Sequence, residues 1–582
     1  MRKNGRFVLP FLFAACTHAS GESGTRPGAE RDGGSAGASG EKPSDGSGGE
    51  DASPGGSSAR PGSGGTTGAV VPRESSEPYA EPEALPAELP ARTFLLSHAE
   101  YAASAEAVLG KAVATSDFEP ELDNGIYRHM SSSGLVRTEL LAEYYDAAKT
   151  VTDALDEDEL VALVPDRELT LDAKPRFVEA SVARAFRRPA TSAELDAYGA
   201  LFDIAASDGD IALAFRSVLR ALLSAPGFLY RTELGPSDAG DDFSLTGYEV
   251  ASLLSYGLEG RPPGRTLLEA AENGELTDPD RLAEHVQALA EGKLGRASLT
   301  AFASEWLELD AFEVEGSPGA PLQPEKDAAS FPGFDAVRGD MQGEALDFLA
   351  QHAAFGATLD ELLTAEVPEP AGALGAFYRS DPSATTGGER HGVLALLAVL
   401  SLGAHETRGS PTARGLFVRE RLLCQAVHPP SRPPPALGST PAEADAKTTR
   451  QLYGRHAGLA ACAGCHALLD DIGFTLESFD GAGRFRTVEN GVPIDTSGDL
   501  SGTDRDRSLA DHADLARALA ESEWVRECVA TQAFRYYFGE LEAGRGVAPI
   551  QAARRALDGG SFGDALVALW STASTYRRRR EP

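Results

Sequence analysis

From about Ala91 onward, apolar residues return at three- and four-residue spacing along most of the chain. That period predicts helices around Leu95–Leu109, Leu140–Leu155 and Phe177–Phe186, another opened by Ser192-Ala-Glu-Leu195, and one with a strong apolar stripe over Asp210–Leu223. The same spacing covers Leu245–Leu258, Asp280–Leu289, Leu299–Leu307, Met341–Phe355 and Gly392–Leu402. Strand-like alternation is scarce, and its only candidates are short pieces near Phe485–Ile494. The pattern predicts a mainly α fold, a multi-helical body made of several small helical domains.

Breaks in the pattern divide the body into helical blocks at 91–165, 170–236, 243–312 and 325–436, followed by a C-terminal block at 445–575. The segment His428–Pro441, with Pro429, Pro430, Pro433, Pro434 and Pro435, cannot continue a helix. It reads as a stiff connector or a proline-rich loop. Before the body the pattern is lost altogether. Between Thr17 and Tyr79 there is no Leu, Ile, Phe, Met or Trp, and 16 of the 62 glycines fall there. Residues 16–88 therefore read as a disordered linker, with an r.m.s. span on the order of 40–50 Å.

One short apolar stretch stands at the N-terminus. Arg2, Lys3 and Arg6 precede the nearly wholly apolar Phe7–Ala15, and Cys16 follows. This is the pattern of a secretory signal peptide, residues 1–15. Cys16 resembles the lipidated cysteine of a bacterial lipobox, although Phe13 stands where Leu is usual; the alternative is an ordinary signal peptide with an incidental cysteine. The expectation is an exported chain held to a membrane by a lipid anchor, with Thr17 leaning toward the outer membrane or cell surface. No apolar run approaches the roughly 20 residues a membrane-spanning helix needs. With 53 Lys and Arg against 88 Asp and Glu the formal charge is −35, which repels phosphate backbones and excludes nucleic acid as a partner.

The chemistry concentrates at Cys462-Ala-Gly-Cys465-His466. Two thiols three positions apart suit the two vinyl groups of one haem, and the adjacent histidine suits its iron, so the motif predicts one covalent haem c. A zinc site on His456, Cys462, Cys465 and His466 is a second reading, and a thioredoxin-type dithiol a third. No methionine follows His466; the three are Met1, Met130 and Met341. The far side of the iron is thus left to His456, His512, His405, Met341 or an open position, with His456 the first choice. Arg484 and Arg486 are candidates for the haem propionates or for exposed surface. Phe474, Leu476, Phe479 and Phe485 are candidates for a porphyrin shell or for an ordinary core. Asp495 reads as a turn residue. With Cys16, Cys462 and Cys465 assigned, Cys424 and Cys528 remain as a pair for a disulfide outside the cytoplasm, or as two buried thiols. No G-x-S-x-G elbow, H-E-x-x-H or phosphate loop appears.

From about Phe94 to Gly539 the chain resembles the secreted cytochrome-c-like multidomain proteins of planctomycetes and myxobacteria, built from consecutive domains of unknown function. Leu96-Ser-His-Ala-Glu-Tyr101, Arg184-Ala-Phe-Arg-Arg-Pro189, Ser224-Ala-Pro-Gly-Phe-Leu-Tyr230 with Glu233, and Tyr248 through Tyr256 to Trp306 carry the resemblance. So do Arg390-His-Gly-Val-Leu394, Ser410-Pro-Thr-Ala-Arg-Gly415, the CxxCH motif, Gly473-Phe474, Leu476-Glu477, Phe479-Asp480 and Gly483-Arg484. The chain departs from the usual pattern at Asp471 (commonly Pro), Glu259 (commonly Trp) and Glu540 (commonly Arg). The resemblance implies export and a C-terminal cytochrome-c-like domain, with no settled activity or named substrate. The expected function is electron transfer with an unknown redox partner, or haem-dependent oxidation of an unknown substrate. The alternative is a surface binding or scaffold protein with a structural haem or zinc.

Overall fold

The computed structural model describes residues 89–580 except 117, 120–126, 128–137, 310–325, 380–386, 403, 428–436, 438–444, 459–461 and 543–545. The signal, Cys16, the 16–88 linker, Met130 and all of 428–441 but Leu437 lie outside the described residues. Within them the fold is mainly α, and no helix is long and apolar enough to cross a membrane.

The helices form where the apolar period meets good caps. His98–Leu109, Ser192–Ala206 and Gly247–Glu259 each open on a capping box, Ser97 with Glu100, Thr191 with Glu194 and Thr246 with Glu249. Ile211–Leu223 is capped by Asp210 and buries Ala214, Phe215, Val218, Leu219, Leu222 and Leu223, the three- and four-residue stripe of its sequence. The predicted helix over Gly392–Leu402 is divided. A short 3-10 turn, Val393–Ala395, leads through extended Leu396 into Leu397–Ser401. Gly392 forces the break: its φ is +67°, and a Cβ there would stand 1.8 Å from the Leu363 carbonyl oxygen.

Two large clusters of buried apolar side chains hold the body together. One gathers residues from Leu96 to Leu229 with Tyr256, joining the first two helical blocks in one core. The other runs from Leu89 to Tyr576 and gathers residues of the third, fourth and C-terminal blocks, with Tyr127 from the first. A small third cluster, Leu452, Tyr453 and Phe474, lies beside the CxxCH segment.

Alternation in the sequence finds one strand pair, Val488–Glu489 with Val492–Pro493, and misses the others. Gly498–Leu500 pairs with Arg507–Leu509, and Arg92–Leu95 pairs antiparallel with Tyr230–Glu233. The C-terminal Arg577–Arg579 inserts between Leu89–Pro90 and Asp242–Ser244. These strands have two to four residues, too few for a period-2 pattern to register. A carboxylate fixes the seam: Glu233 accepts from Arg578 Nε at 2.5 Å and from Arg92 Nε at 2.9 Å.

Four helices position the C-terminal site. Helix α1 (Pro411–Phe417) continues into a π-helical turn, Val418–Leu422. Helices α2 (Thr449–Ala457) and α3 (Ala463–Phe474) follow, and α4 (Glu523–Phe538) packs from the C-terminal side.

Candidate haem-attachment site

The CxxCH segment opens α3: Cys462 is the N-cap residue, and His466 N–H donates to the Cys462 carbonyl at 3.2 Å. Cys462 is buried and Cys465 half-buried, both as thiols. Burial pushes the Cys465 thiol up.

His466 and Asp470 lie four residues apart on one face of α3, the spacing at which helical side chains meet. The His466 Nδ1 stands 2.7 Å from Asp470 Oδ2, with both side chains largely buried. Thr412, on α1, donates to Asp470 Oδ1 at 2.6 Å and lies 3.3 Å from the same Nδ1. With the threonine proton given to the carboxylate, both neighbours of Nδ1 are acceptors. Nδ1 therefore carries the ring proton and Nε2 the lone pair, the nitrogen left for a metal.

α1 reaches α3 because both present glycine. A Cβ on Gly415 would stand 2.0 Å from the Leu469 carbonyl oxygen, and one on Gly473 would stand 1.9 Å from that of Pro411. Ser410 caps α1 through the Ala413 N–H, and Pro411 occupies its first turn.

The candidates for the far side of an iron are scattered. His456, in the last turn of α2, is buried and meets the His466 ring edge to face, with centroids 5.3 Å apart. For both to bind one iron, the rings would have to part to opposite sides of a macrocycle. His405 Nε2 lies 3.1 Å from the Tyr453 hydroxyl, which donates to Ser410 Oγ at 3.2 Å. Burial, with Arg408 and Lys326 nearby, pulls the His405 pKa down to about 4. His512 packs against Phe479 and His391, 5.1 and 6.0 Å away by ring centroids. Met341 is fully buried in the large core with Phe334 and Val337.

Arg484 and Arg486 are turned to the chain's own carboxylates. Arg484 Nε donates to Asp480 Oδ2 at 2.8 Å, and Arg486 holds Glu477 and Glu489 at 2.8 and 2.9 Å. The four aromatic and aliphatic residues after the motif are divided: Phe474 belongs to the small cluster, whereas Leu476 and Phe479 lie in the large core with Phe485 packed against it. Asp495 is a turn residue, accepting from the N–H and hydroxyl of Ser497. Cys424 and Cys528 form a disulfide, with Cα atoms 5.3 Å apart. Among the described residues no group of three or more His, Cys, Asp or Glu side chains is arranged to hold a metal ion, so the zinc reading gains nothing from the structure.

Neither Asp470 nor Thr412 was expected as a site residue, although Thr412 stands within the Ser410–Gly415 segment that carries the resemblance. The i,i+4 step from His466 is a signal that could have found Asp470. Thr412 is 54 residues from the histidine and carries none.

The donor set fits a c-type haem: paired thiols at the mouth of one helix, then a histidine whose outer nitrogen is fixed and whose inner nitrogen holds a lone pair. Comparison with family models finds three consecutive matches, each described as a protein of unknown function: PSD5 (DUF1595) over residues 174–233, PSD4 (DUF1592) over 245–379 and PSCyt3 (DUF1588) over 390–489. The last spans the whole CxxCH segment. No curated protein and no solved structure matches the chain. From residue 174 to residue 489, the chain is similar to a colinear array of domains whose function is unknown.

Proposed function

We propose that this chain is an extracytoplasmic lipoprotein carrying one c-type haem, acting in electron transfer or haem-dependent oxidation. The observation that carries the reading is the 2.7 Å contact of His466 Nδ1 with Asp470 Oδ2, which engages that nitrogen of the one ring in the CxxCH motif and turns Nε2 over to a metal. Cys462 and Cys465 would hold the macrocycle through thioether bonds to its vinyl groups, and His466 would supply the axial nitrogen. When bound, the haem supplies one-electron iron chemistry; the chain supplies its attachment, its axial ligand and the surrounding burial. The name PSCyt3 agrees with a cytochrome-like character. Export and a lipid on Cys16 fit the N-terminal pattern, and the Cys424–Cys528 disulfide suits an oxidising compartment. The redox partner or substrate lies on the same side of the membrane.

The test is expression of the full chain with a c-type maturation system, followed by a haem-stained denaturing gel and a pyridine haemochrome spectrum. A stained band that survives denaturation in the parent, and is lost on Cys462→Ala with Cys465→Ala, supports the reading. A chain without haem that carries one equivalent of zinc overturns it. Cys16→Ser is expected to move the protein from the membrane to the soluble fraction; unchanged membrane retention would remove the anchor from the proposal.

A further inference from the structure

We infer that Asp470 is a positioning residue that makes His466 an anion-like axial donor and thereby lowers the reduction potential of the haem iron. The inference rests on the haem reading above and goes beyond it, because it says in which direction this chain sets its iron.

Three observations carry it. The first is the partner of the outer nitrogen. A histidine on iron can give its Nδ1 proton either to a backbone carbonyl or to a carboxylate. Here the acceptor is a carboxylate oxygen at 2.7 Å. A carboxylate draws the proton more strongly than a neutral carbonyl and raises the basicity of the other nitrogen. Ferric iron has one more positive charge than ferrous iron, so a more basic donor stabilises the ferric state more.

The second is burial. The Asp470 side chain is 5% exposed, and that of His466 is 14% exposed. In such surroundings a charge-assisted hydrogen bond is felt more strongly than on the surface.

The third is the counterweight. Thr412 donates its hydroxyl proton to the other carboxylate oxygen of Asp470 at 2.6 Å. That bond withdraws part of the charge Asp470 offers to His466. The three side chains form a graded series: hydroxyl to carboxylate, carboxylate to imidazole, imidazole to iron.

The series predicts shifts of opposite sign for loss of Asp470 and loss of Thr412, which a bracing role would not produce. Spectroelectrochemical titration of the full-length holoprotein reads them directly. Asp470→Asn replaces the carboxylate with a neutral amide of the same shape. Loss of the partner of a metal-bound histidine typically costs on the order of tenfold in metal affinity or activity, and the same scale is taken for the redox ratio. The ferrous-to-ferric ratio at a fixed potential should rise by at least that factor, an upward move of about 59 mV for a one-electron couple. Thr412→Val removes the hydroxyl and should move the potential downward by a smaller amount.

Covalent haem in the parent and both variants, with no change in potential or with both shifts of one sign, overturns the Asp470 inference while the haem reading stands. A parent chain that takes up no haem overturns both. If Asp470→Asn does not mature, Thr412→Val decides alone: a downward shift supports the inference, and an unchanged or raised potential refutes it.

Discussion

Gly415 of α1 rests on the carbonyl of Leu469 in α3 so closely that a methyl group on the glycine would stand 2.0 Å from that oxygen. Gly473 makes the reciprocal approach to Pro411. Between these two contacts Thr412 reaches Asp470. Gly415→Ala or Gly473→Ala must push the helices apart, because neither obstacle is a side chain that could swing away. The expected loss is about 1–3 kcal/mol or more, read as a lower denaturant midpoint, together with a lower yield of haem-loaded protein. Gly454 of α2 is the control. A Cβ there meets nothing within 4 Å, so Gly454→Ala is expected to be neutral or to stabilise by roughly 0.5–1 kcal/mol.

Arg414 is expected to be the costliest charged residue near the site to lose. It is fully buried and donates to the carbonyls of Leu476, Phe479 and Asp480 at 2.9, 3.0 and 2.6 Å, and to Glu477 Oε1 at 3.1 Å. Arg414→Met strips donors from three carbonyls of the turn after α3 and should lower stability by about 3–5 kcal/mol. Glu477→Gln keeps the carbonyl bonds, and Arg486 still has Glu489, so its loss should be smaller, roughly 1–3 kcal/mol. Equal losses in paired urea titrations would show that the ion pair, not the carbonyl network, holds this turn.

The helices were legible because their signal is local. The period over Asp210–Leu223 reappears as one buried stripe, and the leftover pair Cys424 and Cys528 became a disulfide. What the sequence hid is whatever depends on distant partners. Arg577-Arg578-Arg579-Arg580 lies beyond the C-terminal block expected at 445–575, yet Arg578 is fully buried and bonded to a carboxylate 345 positions away. Arg390, expected only as part of a family motif, lies between the rings of Tyr378 and Phe479 and donates to the Gly483 carbonyl. Buried arginines of this kind carry no periodic signal, because their place is set by carbonyls that come together only in the fold.

Acid should unfold the body before its carboxylates are exhausted. Burial pulls the pKa of His512 down to about 4, with His391 and Arg390 adding to the effect; His405 is pulled to the same value. In the unfolded chain both rings titrate near 6.5. Between those limits the unfolded state binds more protons, so stability is full above pH 6.5 and falls as pH drops toward 4. At 1.36 kcal/mol per pH unit the displacement amounts to about 3 kcal/mol per ring, an order-of-magnitude figure. Urea midpoints should decline across this window, and the His405→Gln, His512→Gln double variant should decline less steeply. Parallel curves for parent and variant would assign the acid sensitivity to other groups.

The Cys424–Cys528 bridge ties the turn after α1 to α4, and its loss should loosen the body without emptying the proposed haem site. The bond spans 104 positions. A loop of that length limits the unfolded chain enough for about 4–5 kcal/mol in the chain-entropy account. Serine at 424 keeps the φ of +50°, so the substitution leaves that backbone cost where it was. The loss expected for Cys424→Ser with Cys528→Ser is about 2–5 kcal/mol, measured by guanidinium titration beside the oxidised parent. The parent with dithiothreitol should fall to the same midpoint. Haem staining separates this role from attachment chemistry. The double variant keeps Cys462, Cys465 and His466, and so should stain as the parent does. A variant that folds stably but takes no haem would mean that the bridge orients the attachment segment, through the contact of α1 with α3, and does more than restrain the unfolded chain.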